Sequence, residues 1–236
     1  MRFTFVLVEP LVPENIGAAA RAIKTMGFES LHLVNPCEYL EGKAQWVAHG
    51  SSEILDKARL FNNLKDALTG MDFIIASSTR HRAIMQDIIE ITKLNSILNS
   101  KKDSTDNIAF VFGREDSGLT NSEIRLCDIV MTIPMKHNFP SLNLSQAVMV
   151  FAYELSRIQW KSEVTETIKV SDGSYRSIKN KVQYVLDNTK ISANPVLAGR
   201  VIERLAHAGE SDIKLIHSVS KAIIDKLQNI EKKGEK

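Results

Sequence analysis

The sequence is poor in cysteine and in long apolar runs, two features that mark secreted and membrane proteins. Its 236 residues include only two cysteines, Cys37 and Cys127. They are too few and too far apart for a disulfide framework or a metal site, so we expect reduced thiols and no metal ion. No apolar run approaches the roughly 20 residues of a membrane-spanning helix, and the first residues lack the pattern of a secretory signal. We therefore expect a cytoplasmic protein without a membrane partner.

A strong charge of one sign is also absent. The formal net charge is +2, which does not by itself require a nucleic-acid partner. The charge is unevenly distributed, because residues 1–159 hold 16 Lys and Arg against 18 Asp and Glu, whereas residues 160–236 hold 14 against 10. With only 6 prolines and 11 glycines, the composition is that of a folded globular protein. The small basic excess thus lies in the last third of the chain.

Apolar runs alternate with helix-favouring segments over the first 160 residues. Strands are predicted at residues 3–8, 31–34, 73–76, 108–112 and 129–133. Helices are predicted at residues 14–26, 46–58, 64–68, 84–98, 121–126 and 143–159, the first ended by Gly27 and the last begun by a capping box of Asn143 and Gln146. This alternation predicts an α/β domain with a mostly parallel sheet and helices on both faces.

The apolar strands stop after Trp160. Residues 161–177 are polar and contain the turn dipeptide Asp172-Gly173, which indicates a linker. The remaining chain is typical of helices, with breaks near Asn194-Pro195 and near Gly209. We predict a domain at residues 1–160, a linker at 161–177 and a small helical C-terminal extension at 178–236.

The first of three motifs is Asn15-x-Gly17-x-x-x-Arg21, in the first turns of the helix that follows the first strand. A guanidinium at this position can hold a phosphate or stabilise a developing oxyanion. By itself the motif is better explained by an arginine on a solvated helix face.

The second motif is Gly113-Arg114-Glu115-Asp116-Ser117-Gly118-Leu119, directly after a predicted strand. The two glycines allow the backbone to approach a flat ligand closely. The motif is not a phosphate-binding P-loop, and the chain has no GxGxxG dinucleotide motif, which disfavours ATP and NAD chemistry. A charged surface turn is the alternative.

The third motif is Ser141-Leu142-Asn143-Leu144, which follows Ile133-Pro134 and precedes the last predicted helix of the domain. An N-capped helix after a turn explains it locally. The order of the three motifs is more specific than any one of them.

Together the three motifs resemble those of the SpoU-like branch of the SPOUT methyltransferases, N-x-G-x-x-x-R, GRE-x-x-G-L and S-L-N-L. The resemblance covers about residues 2–153, and segments 22–28 and 46–50 are similar to proteins of the TrmJ and LasT type. It implies a C-terminal trefoil knot in the α/β domain, S-adenosyl-L-methionine (SAM) as cofactor, and a homodimer. The residues that it implies for cofactor binding are Ser77, Ser78, Thr79, Gly113, Arg114, Glu115, Gly118, Ile133, Ser141, Leu142 and Asn143.

The implied reaction is methyl transfer to a ribose 2′-hydroxyl of RNA. Because a guanidinium stays protonated, Arg21 is expected to stabilise the forming alkoxide or to hold the adjacent phosphate. The other residues implied for catalysis orient Arg21 and the substrate: Asn15, Glu115, Ser141 and Asn143. The sequence does not decide which group accepts the proton.

The resemblance favours tRNA as substrate, at the cytidine or uridine of anticodon-loop position 32. The alternatives are rRNA, an RNA-binding protein without catalysis, and methylation of a base nitrogen. Arg80 and Arg82 are expected either to contact RNA phosphates or to form an ordinary surface pair. The histidines His49 and His81 lie outside the motifs and are weaker candidates for a base.

Overall fold

The computed structural model describes residues 1–79, 88–137, 141–158 and 175–234. The chain divides into two compact units. The sheet unit comprises residues 1–96 and 107–162, and the helical unit comprises residues 97–106 and 163–236. Within the described ranges, no helix is long and apolar enough to cross a membrane.

The sheet unit is built on seven parallel strands. They are β1 Arg2–Val8, β2 Ser30–Val34, β3 Arg59–Phe61, β4 Phe73–Ser77, β5 Ile88–Glu90, β6 Asn107–Phe112 and β7 Ile129–Thr132. Their order in the sheet is β3-β2-β1-β6-β4-β7-β5, and every described pair is parallel. The five predicted strands and the parallel α/β architecture are confirmed.

The short edge strands β3 and β5 were not predicted. β3 has only three residues, two of them exposed, so it has no buried apolar run. β5 corrects the helix predicted at 84–98, of which residues 84–87 lie outside the described residues. Ile88 and Ile89 are β-branched and pair with β7, so the strand replaces the helix there. A 3₁₀ turn at Ile91–Lys93 follows, and helix begins only at Leu94.

Seven helices of the described chain precede residue 160. They are α1 Pro13–Thr25, α2 Lys43–Val47, α3 Ser52–Asp56, α4 Leu64–Ala67, α5 Leu94–Lys101, α6 Asn121–Ile124 and α7 Leu144–Ser156. Gly27 ends α1 as predicted: at φ +84° its N–H donates to the Lys24 carbonyl, and the Phe28 N–H donates to the Ile23 carbonyl. The helix predicted at 46–58 is divided into α2 and α3.

Helices cover both faces of the sheet. On one face, Phe5 and Phe110 lie with ring centroids 5.8 Å apart, and Phe151 of α7 packs edge-on against Phe112 at 5.3 Å. On the other face, valines and alanines of β1, β4 and β6 pack against Leu64 and other residues of α4 and α6. Because alternate residues of a strand point to opposite faces, β1 supplies both cores and is buried throughout its second half.

The helical unit contains α8 Tyr175–Asp187, α9 Pro195–His207 and α10 Glu210–Gly234, with a 3₁₀ turn at Lys190–Ala193. The breaks predicted at 194–195 and 209 are confirmed, and the Asn194 side chain caps α9 by accepting the Leu197 N–H at 3.1 Å. Of the predicted linker, residues 161–174 lie outside the described residues and 175–177 belong to α8. Residues 97–106 join the helical unit, where the buried Lys101 ammonium donates to the Ala208 carbonyl at 2.7 Å.

Candidate functional site

The three motifs meet at the carboxyl edge of the sheet. Strands β6, β4 and β7 are adjacent and end at this edge, and the segments that follow them begin at Gly113, Ser78 and Ile133. Ligands of open parallel sheets bind at this edge, because loops diverge from the strand ends and leave a crevice.

A cleft at this edge is lined by all the predicted cofactor residues except Asn143. Its lining is Ser77, Ser78, Thr79, Phe112, Gly113, Arg114, Glu115, Asp116, Gly118, Leu119, Ile133, Ser141, Leu142, Leu144 and Ala147. The residues that sequence reasoning missed are mainly apolar, such as Phe112, Leu119 and Leu144. Phe112 directly precedes the motif residue Gly113, whereas Leu119 and Leu144 are the last residues of the second and third motifs. Their place in or beside a motif is the signal that could have identified them.

The loop after β6 needs glycine at both ends. A Cβ on Gly113 would lie 2.2 Å from the carbonyl carbon of Gly118, a distance that real structures do not tolerate. Gly118 has φ +68°, in the left-handed region. The Gly118 N–H donates to the Arg114 carbonyl at 3.0 Å, which closes the loop. The backbone of this loop is therefore exposed to the cleft without side chains at its two ends.

Arg114 fastens this loop to its surroundings. Its Nε donates to Glu9 at 2.8 Å, and its two terminal nitrogens donate to the Glu123 carboxylate at 3.0 and 2.9 Å. The hydrogen bonds that Arg114 donates to Glu123 and Glu9 raise the pKa of its guanidinium. Although burial alone would raise the pKa of Glu123, hydrogen bonds from Arg114 and the Thr120 N–H hold it below its usual value. The backbone of Arg114 lines the cleft, while its guanidinium is occupied by the two carboxylates.

Glu9 and Glu123 were not singled out from the sequence. Glu123 had a readable signal, because Thr120-x-x-Glu123 is a capping box, and both of its hydrogen bonds are present at the start of α6. No sequence pattern points to Glu9. It lies directly after β1 at φ +46°, a backbone conformation that cannot be predicted from the sequence.

A chain of hydrogen bonds connects the three motifs. The Asn15 amide donates to Glu115 Oε1 at 2.8 Å, and the Asn143 amide donates to Asn15 Oδ1 at 2.7 Å. Glu115 also accepts the backbone N–H groups of Leu11 and Val12, at 2.9 and 3.2 Å. The carboxylate thus lies at the amino end of α1, where the helix dipole favours negative charge.

The third motif is held in the same network. Asn143 caps α7 as predicted: its side-chain oxygen accepts the Ser145 N–H at 2.9 Å, and its own N–H donates to Gln146 at 3.0 Å. Ser141 is exposed and lines the cleft. Both polar ends of the Asn143 side chain are engaged, so its orientation is fixed between α1 and α7.

Arg21 is the one predicted catalytic residue outside both the cleft lining and the hydrogen-bond chain. It lies on α1 six residues after Asn15, about 9 Å along the helix axis at 1.5 Å per residue. Its side chain is exposed and forms no hydrogen bond or ion pair within the described part of the chain. Gly17, between the two residues, approaches α2 so closely that a Cβ would lie 2.1 Å from the Ala44 carbonyl oxygen.

The remaining candidates are outside this arrangement. His49 is exposed and does not line the cleft. Arg80, His81 and Arg82 lie outside the described residues.

The match to a known family agrees with this geometry. The model of the SpoU rRNA Methylase family matches residues 2–153, so the chain belongs to this family. The chain is 37% identical over 220 residues to a protein of Escherichia coli K12 named uncharacterized tRNA/rRNA methyltransferase LasT, covering 92% of this chain and 95% of that protein. It is 33% identical over 204 residues to the Sodalis glossinidius protein named tRNA (cytidine/uridine-2′-O-)-methyltransferase TrmJ, covering 86% and 78%. The resemblance carried by the three motifs is thereby confirmed.

Solved structures show the same fold. A probable methylase family protein from Haemophilus influenzae Rd KW20 superposes with a TM-score of 0.64 at 26% identity, covering 97% of this chain and 98% of that chain. The SpoU methyltransferase AviRb from Streptomyces viridochromogenes, in complex with the cofactor AdoMet, gives a TM-score of 0.52 at 20% identity, covering 66% and 60%. At that identity the second likeness concerns the fold alone.

Proposed function

We propose that this protein transfers a methyl group from SAM to a ribose 2′-hydroxyl of RNA, with tRNA as the preferred substrate. The observation that carries the proposal is the hydrogen-bond chain Glu115–Asn15–Asn143, which joins three distant motifs beside a cleft at the carboxyl edge of the sheet. A chain of this kind fixes side chains in the geometry that an in-line transfer requires.

The residues of the cleft suit SAM. Serine and threonine hydroxyls at 77–79 and the open backbone at Gly113 offer hydrogen bonds, and Ile133 and Leu142 offer apolar surface for a purine. When bound, SAM supplies a methyl group on a positively charged sulfur, which needs no metal for activation. The residues proposed to hold it are those predicted from the sequence, with Asn143 acting through the hydrogen-bond chain.

Arg21 is proposed to act on the RNA. Its guanidinium is exposed and unpaired within the described residues, so it is available for the forming 2′-alkoxide or for the neighbouring phosphate. Asn15 and Glu115 are positioning residues, since they fix the amino end of the helix that carries Arg21.

The proposal of tRNA is based on the named activity of the TrmJ relative and on the helical unit. There, a groove of about 500 Å³ between α8 and α10 is lined by Arg176, Lys181 and Tyr184 together with amide side chains. Cationic and aromatic side chains of this kind can contact phosphates and bases. The LasT relative is named for tRNA and rRNA together, so rRNA is the second candidate.

The knot, the homodimer and the cytoplasmic location belong to the same proposal. They are carried over from the family resemblance.

The test is transfer of labelled methyl from SAM to bulk tRNA and to rRNA, followed by mass spectrometry of the nucleosides. A 2′-O-methylated nucleoside in tRNA is expected. The same nucleoside in rRNA only would move the substrate to the second candidate, and a base-methylated product would contradict ribose chemistry. Transfer to neither RNA by protein that binds SAM would contradict the proposed enzyme.

A further inference from the structure

Trp46 of α2 is the most exposed large apolar side chain among the described residues. It is 76% exposed, whereas the tryptophans of folded proteins are on average highly buried. Ala44 and Ala48 are fully buried and define the side of α2 that faces the rest of the sheet unit. At 100° per residue, Trp46 lies on the opposite side of the helix. Its indole forms no hydrogen bond or ring contact with any residue in the described ranges.

The surroundings of Trp46 are polar. The other exposed residues within four positions of it in the chain are Gly42, Lys43, His49 and Gly50, none of which has an apolar side chain. A protein interface consists of contiguous apolar surface, which an isolated ring does not provide. An aromatic face next to cationic or titratable side chains is instead typical of nucleic-acid binding, where the ring stacks on a base and the charges contact phosphates. The chemistry around Trp46 therefore favours a base over a protein partner.

Helix α2 lies directly beside the part of α1 that carries the candidate site. The Lys43 ammonium pairs with Glu14, in the first turn of α1, at 2.9 Å. The two helices are in contact again at Gly17, where a Cβ would lie 2.1 Å from the Ala44 carbonyl oxygen. Trp46 does not line the cleft, so it lies outside the place proposed for the cofactor. An RNA that is bound at α1 would therefore meet Trp46 with a nucleotide next to the target and not with the target itself.

The flat face of the indole selects an unpaired base. Inside an RNA duplex each base is stacked between its neighbours and exposes only its edges, so a tryptophan face stacks on a base that has left the helix. We propose that Trp46 stacks on an unpaired base of the RNA substrate, beside the nucleotide that is methylated. The inference rests on the proposed function and adds that the substrate presents its target in a single-stranded loop, bulge or end. Every base has a face, so this contact accepts all four of them.

Binding of bulk tRNA by the full chain tests the contact. Trp46→Ala should weaken the affinity about 5–100-fold, as expected for the loss of one stacked base, and Trp46→Phe should keep most of it. Because stacking involves no phosphate, the factor should be the same at about 50 mM and about 200 mM salt. Leu60→Ala is the matched control, since Leu60 is another exposed apolar residue of the sheet unit, at 58%. An affinity of Trp46→Ala equal to that of Leu60→Ala would overturn the proposal, and so would a Trp46→Phe variant as weak as Trp46→Ala.

Tryptophan fluorescence measures the stacking itself. The chain has one other tryptophan, Trp160, so in the Trp160→Phe variant the emission comes from Trp46 alone. Bulk tRNA should quench this emission with saturation, whereas a blunt RNA duplex with the same number of nucleotides should not quench it at the same concentration. Quenching by the duplex to the same extent as by tRNA would overturn the selection of an unpaired base.

Two further measurements separate this inference from the proposed function and from a protein partner. Methyl transfer by the wild type, with an unchanged KM for tRNA in Trp46→Ala, would overturn the contact and leave the proposed function intact. Absence of transfer to tRNA and rRNA by the wild type would overturn both. In analytical ultracentrifugation without RNA, a complex that Trp46→Ala dissociates would assign Trp46 to a protein surface and overturn the stacking contact.

Discussion

Two arginines of the candidate site have opposite surroundings. Arg114, in the loop after β6, has its guanidinium occupied by Glu9 and Glu123, and its side chain is 15% exposed. Arg21, on α1, is exposed and has no partner within the described residues. The comparison separates a residue that holds the site together from a residue that is available to a substrate, although both belong to the motifs.

The same contrast applies to the two regions that carry them. The loop at 113–118 is closed by its own backbone hydrogen bond and by the two ion pairs of Arg114. Helix α1 is held at Asn15 by the hydrogen bond to Glu115, whereas Arg21 has no partner among the described residues. A rigid loop at 113–118 beside a helix whose Arg21 has no partner within the described residues is the division of roles expected for the proposed methyl transfer.

The largest effect, on SAM affinity, is expected when the loop at 113–118 cannot keep its conformation. Gly113→Ala places a Cβ 2.2 Å from a backbone carbon, so the loop must move and SAM binding should be abolished. Isothermal titration calorimetry with SAM measures this. The control is Gly199→Ala, where a Cβ on α9 meets nothing within 4 Å and should stabilise the helix by about 0.5–1 kcal/mol. Wild-type SAM affinity in Gly113→Ala would contradict the assignment of the cleft.

Breaking the hydrogen bond between α1 and the loop after β6 should have the next largest effect, on the rate of methyl transfer. Asn15→Asp replaces the amide donor to Glu115 with a second acceptor, at a contact of 2.8 Å. We expect kcat for methyl transfer to fall about 100-fold because α1 shifts. Asn62→Asp, at an exposed position, is the control.

A reciprocal change sharpens this prediction. Adding Glu115→Gln to Asn15→Asp restores one donor and one acceptor at the contact, so part of the lost rate should return. If the double variant is no faster than Asn15→Asp, the contact is not what Asn15 contributes.

Removal of the fastening arginine should reduce stability. Arg114→Ala leaves Glu123, whose side chain is 15% exposed, without its charged partner. We expect a loss of about 2–3 kcal/mol in the free energy of unfolding, measured with urea. Arg157→Ala breaks an exposed pair at 3.6 Å and should cost about 0.5 kcal/mol or less. Equal losses in the two variants would refute the role given to Arg114.

The smallest expected effect is on the free energy of unfolding at acidic pH. The pKa of Glu123 is lowered in the folded protein, so its contribution is fully present above the unfolded pKa of about 4.3 and is lost as the pH falls through the folded pKa. The difference in unfolding free energy between wild type and Glu123→Gln, about 1 kcal/mol at neutral pH, should therefore shrink below about pH 4. A gap that widens on acidification has the wrong sign for this ion pair.

The buried parts of the fold could be predicted from the sequence, whereas the edges could not. β1 and β6 are continuous apolar runs because helices cover both of their faces. β3 and β5 are three-residue edge strands whose existence depends on a neighbour strand, a contact that local pattern does not contain.

The residues of the candidate site could be predicted from the sequence, but the hydrogen bonds between them could not. The motifs identified Asn15, Glu115 and Asn143, but Asn15 and Glu115 are 100 residues apart, and no spacing rule places their side chains 2.8 Å from each other. Arg114 was expected among the cofactor residues, and only the structure shows that its guanidinium is engaged by Glu9 and Glu123. Contacts between distant segments are set by topology, which local propensity does not determine.

The most direct test of the contrast between the two arginines is single-turnover methyl transfer by Arg21→Ala, with SAM affinity and urea stability measured on the same preparation. The proposed role predicts a rate about 10²–10³-fold below wild type, with SAM affinity and stability unchanged. Arg125→Ala, an exposed arginine before the amino end of β7, should transfer at the wild-type rate. A wild-type rate in Arg21→Ala would contradict the role proposed for Arg21. A loss of rate explained by weaker SAM binding or by unfolding would contradict it as well.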